Sequence, residues 1–321
     1  MRYTQLGRTD IQVSVVCCGT MAMSSDGTFG AQDDAESVRT VRAALDSGIS
    51  FFDTAESYGD GHAEEVLGRA LEGLRGRAII ATKVSEVHLR RADLLRACEA
   101  SLRRLRTDHV DVYQVHWPNR SVPFGEVVAA FEELKAAGKV RAWGVSNFGK
   151  ADLQGALAAG RPEVNQLPYS LLWRAIERDI LPLCVRHSVS VLCYSPLAQG
   201  LLTGKFRGPE DVPPQRKRAR YCKEPAAGHA FALLDEVRAV SAELGRPMAD
   251  VALAWLLAQQ GVASVVAGMR TPEQARENAR TGDLELAADT VARLTAASTP
   301  LSEILGANPD MWREGADSRY R

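Results

Sequence analysis

Asp53, Tyr58, Lys83 and His116 are residue types that together could move a proton onto an oxygen anion. Three of them close short apolar runs: ISFFD ends on Asp53, AIIATK on Lys83 and VDVYQVH on His116, while Tyr58 follows Asp53 by five residues. A free phenol, with a pKa of about 10, is too weak an acid to protonate a carbonyl efficiently at neutral pH. A neighbouring ammonium favours phenolate and is expected to lower that value, and Lys83 can supply it. Asp53 would pair with Lys83 and keep it charged when buried, and His116 would donate a hydrogen bond to the substrate oxygen. No side chain can donate hydride, so the set calls for a nicotinamide or flavin cofactor. Alone, an Asp or Lys at a strand end is more often a structural pair or cap, and a lone His a satisfied polar residue. Four such residues at one face are a poor coincidence.

The elements that must place them alternate along the chain. Eight β-branched runs end at Gly19, Asp53, Lys83, His116, Ser146, Gln166, Tyr194 and Gly268. Helix-period stretches lie between them, over 33–47, 63–74, 90–104, 124–137, 150–159, 175–187, 230–244 and 272–281. Strand and helix in alternation predict parallel pairing with right-handed crossovers. About 33 residues per unit fits an α/β fold, a (β/α)8 TIM barrel, as one domain over 1–321. Residues 2–14 read as an N-terminal β-hairpin closing the bottom of the barrel. A long loop over 199–228 follows strand seven, two extra helices span 247–259 and 288–297, and 298–321 form a polar tail. The basic run Arg216-Lys217-Arg218 in that loop reads as a solvated face. In such a barrel the C-terminal strand ends and their large loops form the active-site face, where the polar strand ends fall.

Charge and composition narrow the rest. With 39 Lys and Arg against 40 Asp and Glu, a formal charge of −1, the chain is not expected to bind nucleic acid. The N-terminus carries no apolar leader and no run of about 18 apolar residues occurs, so no membrane span is expected and the expected location is cytoplasmic. Six cysteines without a C-x-x-C read as reduced core residues. Gly59-Asp60-Gly61 lacks the third glycine of a dinucleotide fingerprint, and no Tyr has Lys four residues on. Neither H-x-H after the first strand nor H-E-x-x-H occurs, so no metal site is expected.

The blocks FDTAESYGDGHAEEVLGRAL, ATKV, DVYQVHWP, GKVRAWGVSNF, NQLPYSLLWR, VLCYSPLAQGLLTGKF and VAGMRTPEQARENA resemble the aldo-keto reductase superfamily, in order, across residues 3 to about 281. The likeness is to the bacterial branch that includes channel-subunit-like and sugar or polyol reductases. It implies a catalytic tetrad of Asp53, Tyr58, Lys83 and His116, with Tyr58 as proton donor. It places Ser146, Asn147 and Gln166 on the nicotinamide carboxamide and Tyr194 on the ring, beside Ser195, Pro196 and Leu197. Gly19, Thr20 and Met21 would pass the ribose, and Gly200 and Lys205 would follow the pyrophosphate. Gly268, Arg270, Gln274, Glu277 and Asn278 would meet the adenosine end. There the sequence departs from many animal members, which carry Lys-Ser at Gly268 and Met269 and Arg at Gln274, so preference for NADPH over NADH rests mainly on Arg270. Met23, Phe29, Glu56, Trp117, Asn119, Trp173 and the C-terminal tail would line the substrate pocket. The implied activity is NADPH-dependent reduction of a small aldehyde or ketone. Two alternatives stand beside it: oxidation of an alcohol or sugar by the same residues, and a cofactor-sensing regulatory subunit like those attached to potassium channels, against which His116 speaks.

Overall fold

The computed structural model describes residues 1–24, 30–217 and 219–321, with only the backbone described at Gln215. Strands β1 (Tyr3–Gln5) and β2 (Gln12–Ser14) pair antiparallel as the expected hairpin. Eight parallel strands then close a barrel in the order β10-β3-β4-β5-β6-β7-β8-β9. They are β3 (Val16–Gly19), β4 (Phe51–Asp53), β5 (Ile79–Val84), β6 (Val110–Val115), β7 (Val140–Ser146), β8 (Val164–Pro168), β9 (Ser190–Tyr194) and β10 (Val262–Gly268). The outer helices are α1 (Asp34–Asp46), α2 (His62–Ala70), α3 (Arg91–Leu105), α4 (Phe124–Ala136), α5 (Lys150–Ala159), α6 (Ile180–Arg186), α7 (Ala226–Leu244), α8 (Met248–Leu257), α9 (Pro272–Thr281) and α10 (Ala288–Leu305).

Side-chain alternation explains how the barrel makes both a core and a site. Cys17, Phe51, Ala81, Val112, Ala142, Val164 and Leu192 share one buried layer with Leu6, Ile11 and Val13 of the hairpin segment, which plugs the lower end. Residues two further along each strand point the same way, one layer up. Those positions are Gly19, Asp53, Lys83, Gln114, Gly144, Gln166 and Tyr194, staggered around the closed barrel. Intervening residues such as Phe52, Ile80, Tyr113 and Trp143 pack outward in the large core shared with the helices. Period two therefore carries the chain from apolar filler to polar chemistry within one step of each strand.

Several expected boundaries move: α2 stops at Ala70, α6 starts at Ile180, and α7 starts at Ala226, which shortens the loop before it. Helix α10 continues to Leu305 with Pro300 inside it, because Ser298 and Leu301 are buried and packing outweighs the lost backbone bond. The tail beyond it is not a loose polar end: Asp310, Met311 and Tyr320 are buried. All six cysteines are unpaired, and burial holds the Cys18, Cys98 and Cys184 thiols up at about 12, so they stay protonated. Among the described residues, no helix is long and apolar enough to cross a membrane.

Candidate active site

The strand-end layer assembles the expected quartet. Buried Lys83 donates from Nζ to Asp53 Oδ1 at 2.5 Å, to the Thr54 carbonyl at 2.9 Å and to Tyr58 Oη at 3.2 Å. The Tyr58 and His116 rings meet edge to face, with centroids 5.7 Å apart. Tyr58 is aimed by the turn that follows it, which depends on Gly59 at φ 60°; a Cβ there would sit 2.1 Å from the carbonyl oxygen of Ser24.

The electrostatics of the quartet differ from the expectation in one respect. Burial raises the Tyr58 pKa above the ordinary phenol value, and the opposing pull of Lys83 does not offset it. The sequence reading counted the ammonium but not the loss of water. Burial would pull Lys83 down, yet the adjacent Asp53 carboxylate and Tyr58 more than compensate, so Lys83 is held above its usual value. His116 is lowered to about 3, first by burial and then by Lys83, so its imidazole is neutral. Ser57 Oγ lies 3.1 Å from His116 Nδ1. With that hydroxyl donating, the ring proton sits on Nε2, the nitrogen left to donate elsewhere.

Around the quartet the structure gathers the expected cofactor residues. Gln166 Nε2 donates to Asp53 Oδ2 at 2.8 Å, while its Oε1 takes no hydrogen bond among the described residues. Ser146 Oγ lies between the Gln166 carbonyl and Asn147 Nδ2. Tyr194 Oη donates to Asn147 Oδ1 at 2.9 Å. Thr20, buried, bonds the Asp53 carbonyl through both its backbone N–H and its hydroxyl, so Gly19, Thr20 and Met21 border the same strand end. Among the described residues seven non-glycine residues have positive φ, and five of them flank this mouth: Asp60, Asn147, Ser195, Ala198 and Gln199. Such backbone is costly and persists where surroundings enforce it, which supports a functional reading of the Ser195–Gln199 turn.

Two cations stand at that turn. A Cβ on Gly200 would lie 2.7 Å from Lys205 Nζ and 3.0 Å from an Arg216 Nη, and both cations lie near the ring of Phe206. Neither has an acidic partner among the described residues. Arg216 is thus no part of a solvated face, as the basic run had suggested; it is half-buried and donates to the Gln199 carbonyl. Arg218 lies outside the described residues. Like charges converging on a glycine are repulsive unless an anion joins them, so this cradle fits a pyrophosphate.

At the far end Arg270 donates to Gln32 Oε1 at 2.8 Å and to the Ala31 carbonyl at 2.5 Å, and Gln274 accepts from its backbone N–H. Gly268 faces open space, Gln274 and Glu277 are exposed, and Asn278 is buried.

Some pocket expectations need correction. Met23 and Trp173 are each 1% exposed and pack in the core, Trp173 against Tyr221 and the Pro309 carbonyl, so neither lines an open pocket. Asn119 spends its amide on the Glu86 carbonyl and on Ser121, holding its own loop. Glu56 accepts from the Ser85 N–H and lies 2.9 Å from His88 at the rim. Phe29 lies outside the described residues. Trp117 does face the mouth, edge-on to Tyr320 and under the guanidinium of Arg319. Ser57, Gln114, Arg319 and Tyr320 are not singled out by the sequence, and Arg216 stands there only as part of a basic run read as a solvated face. Gln114 was recoverable, since it lies two residues before His116 on the same strand face.

The profile of the Aldo/keto reductase family matches residues 15–299. The NADH-specific methylglyoxal reductase of Escherichia coli (strain K12) is 33% identical over 303 residues, covering 87% of this chain and 92% of that protein. The structure of the glycerol dehydrogenase AKR11B4 from Gluconobacter oxydans superposes with a TM-score of 0.85 at 31% identity, covering 98% of this chain and 99% of that one. An aldo-keto reductase from Klebsiella pneumoniae in complex with NADPH gives a TM-score of 0.75 at 30% identity, with 98% and 99% covered.

Proposed function

The chain belongs to the aldo/keto reductase family and is an oxidoreductase, and from that premise we propose that it reduces a small polar aldehyde or ketone with NADPH, using Tyr58 as general acid. The observation that carries the reading is Lys83 Nζ held between Asp53 and Tyr58 Oη beside a neutral His116. When bound, the nicotinamide supplies the hydride. His116 Nε2 and Tyr58 Oη hold the carbonyl oxygen, and the phenol gives up its proton as negative charge develops there, with the Lys83 ammonium beside it stabilising the phenolate left behind.

The other residues bind and orient. Ser146, Asn147 and Gln166 would hold the carboxamide, the open Oε1 of Gln166 being an acceptor suited to its amide hydrogens. Tyr194 would face the ring, with Ser195, Pro196 and Leu197 beside it, and Gly200, Lys205 and Arg216 would seat the pyrophosphate. Gly268, Arg270, Gln274, Glu277 and Asn278 would hold the adenosine end. Alcohol oxidation uses the same atoms in reverse, and the raised Tyr58 pKa favours the reductive direction near neutrality.

The test follows NADPH and NADH absorbance with methylglyoxal, other aldehydes, keto-sugars and quinones, and NADP+ with glycerol. Turnover of a small oxygenated carbonyl is expected. Tight cofactor binding without turnover of any carbonyl would instead return the regulatory reading. In the same assay Arg270→Ala is expected to weaken NADPH by roughly ten- to a hundredfold, the worth of a charge-assisted phosphate contact, and NADH far less. The NADH arm controls for the lost ties to Gln32 and Ala31, and equal losses would remove the 2′-phosphate assignment.

A further inference from the structure

The side-chain amide of Asn147 is fully spent inside the protein. Its Nδ2 donates to the His116 carbonyl at 3.0 Å and to Ser146 Oγ at 3.1 Å. Its Oδ1 accepts from Tyr194 Oη at 2.9 Å and from Tyr320 Oη at 2.6 Å. An amide offers two hydrogens and two lone pairs, and all four are used. A cofactor carboxamide that is to bond Oδ1 must therefore displace one of the two phenols.

The two are not equally fixed. Tyr194 ends barrel strand β9, whereas Tyr320 arrives from a segment far along the chain. That segment is clasped on itself: Arg319 grips Asp310 with two bonds of 2.8 Å, and Asn308 holds the Asp310 N–H and Ser318. The body of the segment is anchored: Arg220 donates to the Met311 and Asn308 carbonyls and to Glu314, Trp173 donates to the Pro309 carbonyl, and Met311 is buried. The Tyr320 end has its own ties to the barrel rim. Arg120 donates to the Arg319 carbonyl at 2.8 Å, the Ala151 N–H donates to the Arg321 carbonyl oxygen at 2.9 Å, and Arg319 lies 3.9 Å over the Trp117 ring. With the clip pinned at its body by Arg220 and Trp173, what can part from Asn147 is the phenol of Tyr320 at its far end.

We propose that Tyr320 is a further residue of the nicotinamide site, one that competes with the cofactor amide for Asn147 Oδ1, so that the cofactor seats only as the Tyr320 phenol withdraws. The proposal rests on the reading that Asn147 holds the carboxamide. It implies that the nicotinamide end seats more slowly than the adenosine end, whose residues lie outside the reach of this clip.

Stopped-flow quenching of protein fluorescence, to which Trp117 beside Tyr320 contributes, tests it on the full chain. Association of NADPH is expected to be about fivefold faster in Tyr320→Phe, the factor that one net hydrogen bond is worth. Association of 2′-phospho-ADP-ribose, which has no nicotinamide, should be unchanged by the substitution. An unchanged or slower NADPH rate overturns the proposal, as does equal acceleration of both ligands, which reports general loosening. Asn147→Ala separates the layers. If it weakens NADPH while Tyr320→Phe does nothing, the carboxamide assignment stands and the competition falls; if it leaves NADPH affinity intact, both fall.

Discussion

Tyr58→Phe is expected to lower kcat by about 10² to 10⁴, the usual contribution of a positioned general acid. Cofactor affinity should stay near that of the wild type. The hydroxyl contacts Lys83 Nζ at 3.2 Å, a long bond whose loss costs about 1 kcal/mol or less, and the phenyl ring keeps its edge contact with His116. A large loss in kcat with little change in stability is what distinguishes chemistry from scaffolding. Unchanged turnover in this variant would remove Tyr58 from its role.

The same residue sets opposite pH responses for the two directions. Burial places Tyr58 above the ordinary phenol value, so the acid form persists through neutrality. Reduction, which needs the phenol, should be flat over about pH 6 to 9 and fall only as pH climbs through the Tyr58 value. Oxidation, which needs phenolate, should rise with pH over the alkaline range. His116, at about 3, contributes no step in this window, so a limb near neutrality that vanished in His116→Gln would contradict the neutral-imidazole assignment.

The barrel was legible because its strands are β-branched runs separated by helix-period stretches, a pattern local enough to read without partners. Asp53, Lys83 and His116 stood out for the same reason, as charges or imidazole ending apolar runs. What escaped was long-range or solvation-dependent. Tyr320 reaches Asn147 across 173 residues of sequence, and nothing in a polar tail marks which of its aromatics turns inward. Met23 and Trp173 were misplaced because an apolar residue in a loop suits a pocket wall or the core equally well, and only packing decides. The pKa of Tyr58 went wrong in direction because its main cause, burial, has no signature in residue spacing. Arg216 was discounted because a basic run says how much charge is present, not where it converges.

Lys83→Met is expected to cost both folding and catalysis, and the two losses can be pulled apart. Lys83 and Asp53 are 0% and 2% exposed, so removing the cation strands a carboxylate in the barrel with Gln166 Nε2 at 2.8 Å and a long contact to Gln114. Breaking such a pair from one side costs about 3 to 5 kcal/mol. An unfolding entropy of about 2.1 cal/mol/K per residue makes 1 kcal/mol worth about 1.5 °C in a chain of 321 residues, so the expected fall in Tm is about 4 to 8 °C. Because Lys83 is held above its unfolded value, its contribution is fully present below about pH 10.4 and lost as pH rises through the folded value, so on the alkaline side the gap between wild type and variant should persist until strong alkali. Asp53→Asn/Lys83→Met leaves neither charge of this pair and should regain much of the stability, since a neutral replacement avoids the stranded ion. It should not regain turnover, because the phenolate formed at Tyr58 would have no cation beside it. Adding Tyr58→Phe to Lys83→Met should then lower kcat little further, as for residues that act as one unit. Multiplicative losses in that triple comparison, or a Lys83→Met protein as stable as the wild type, would show that ammonium and phenol do not share the task proposed for them.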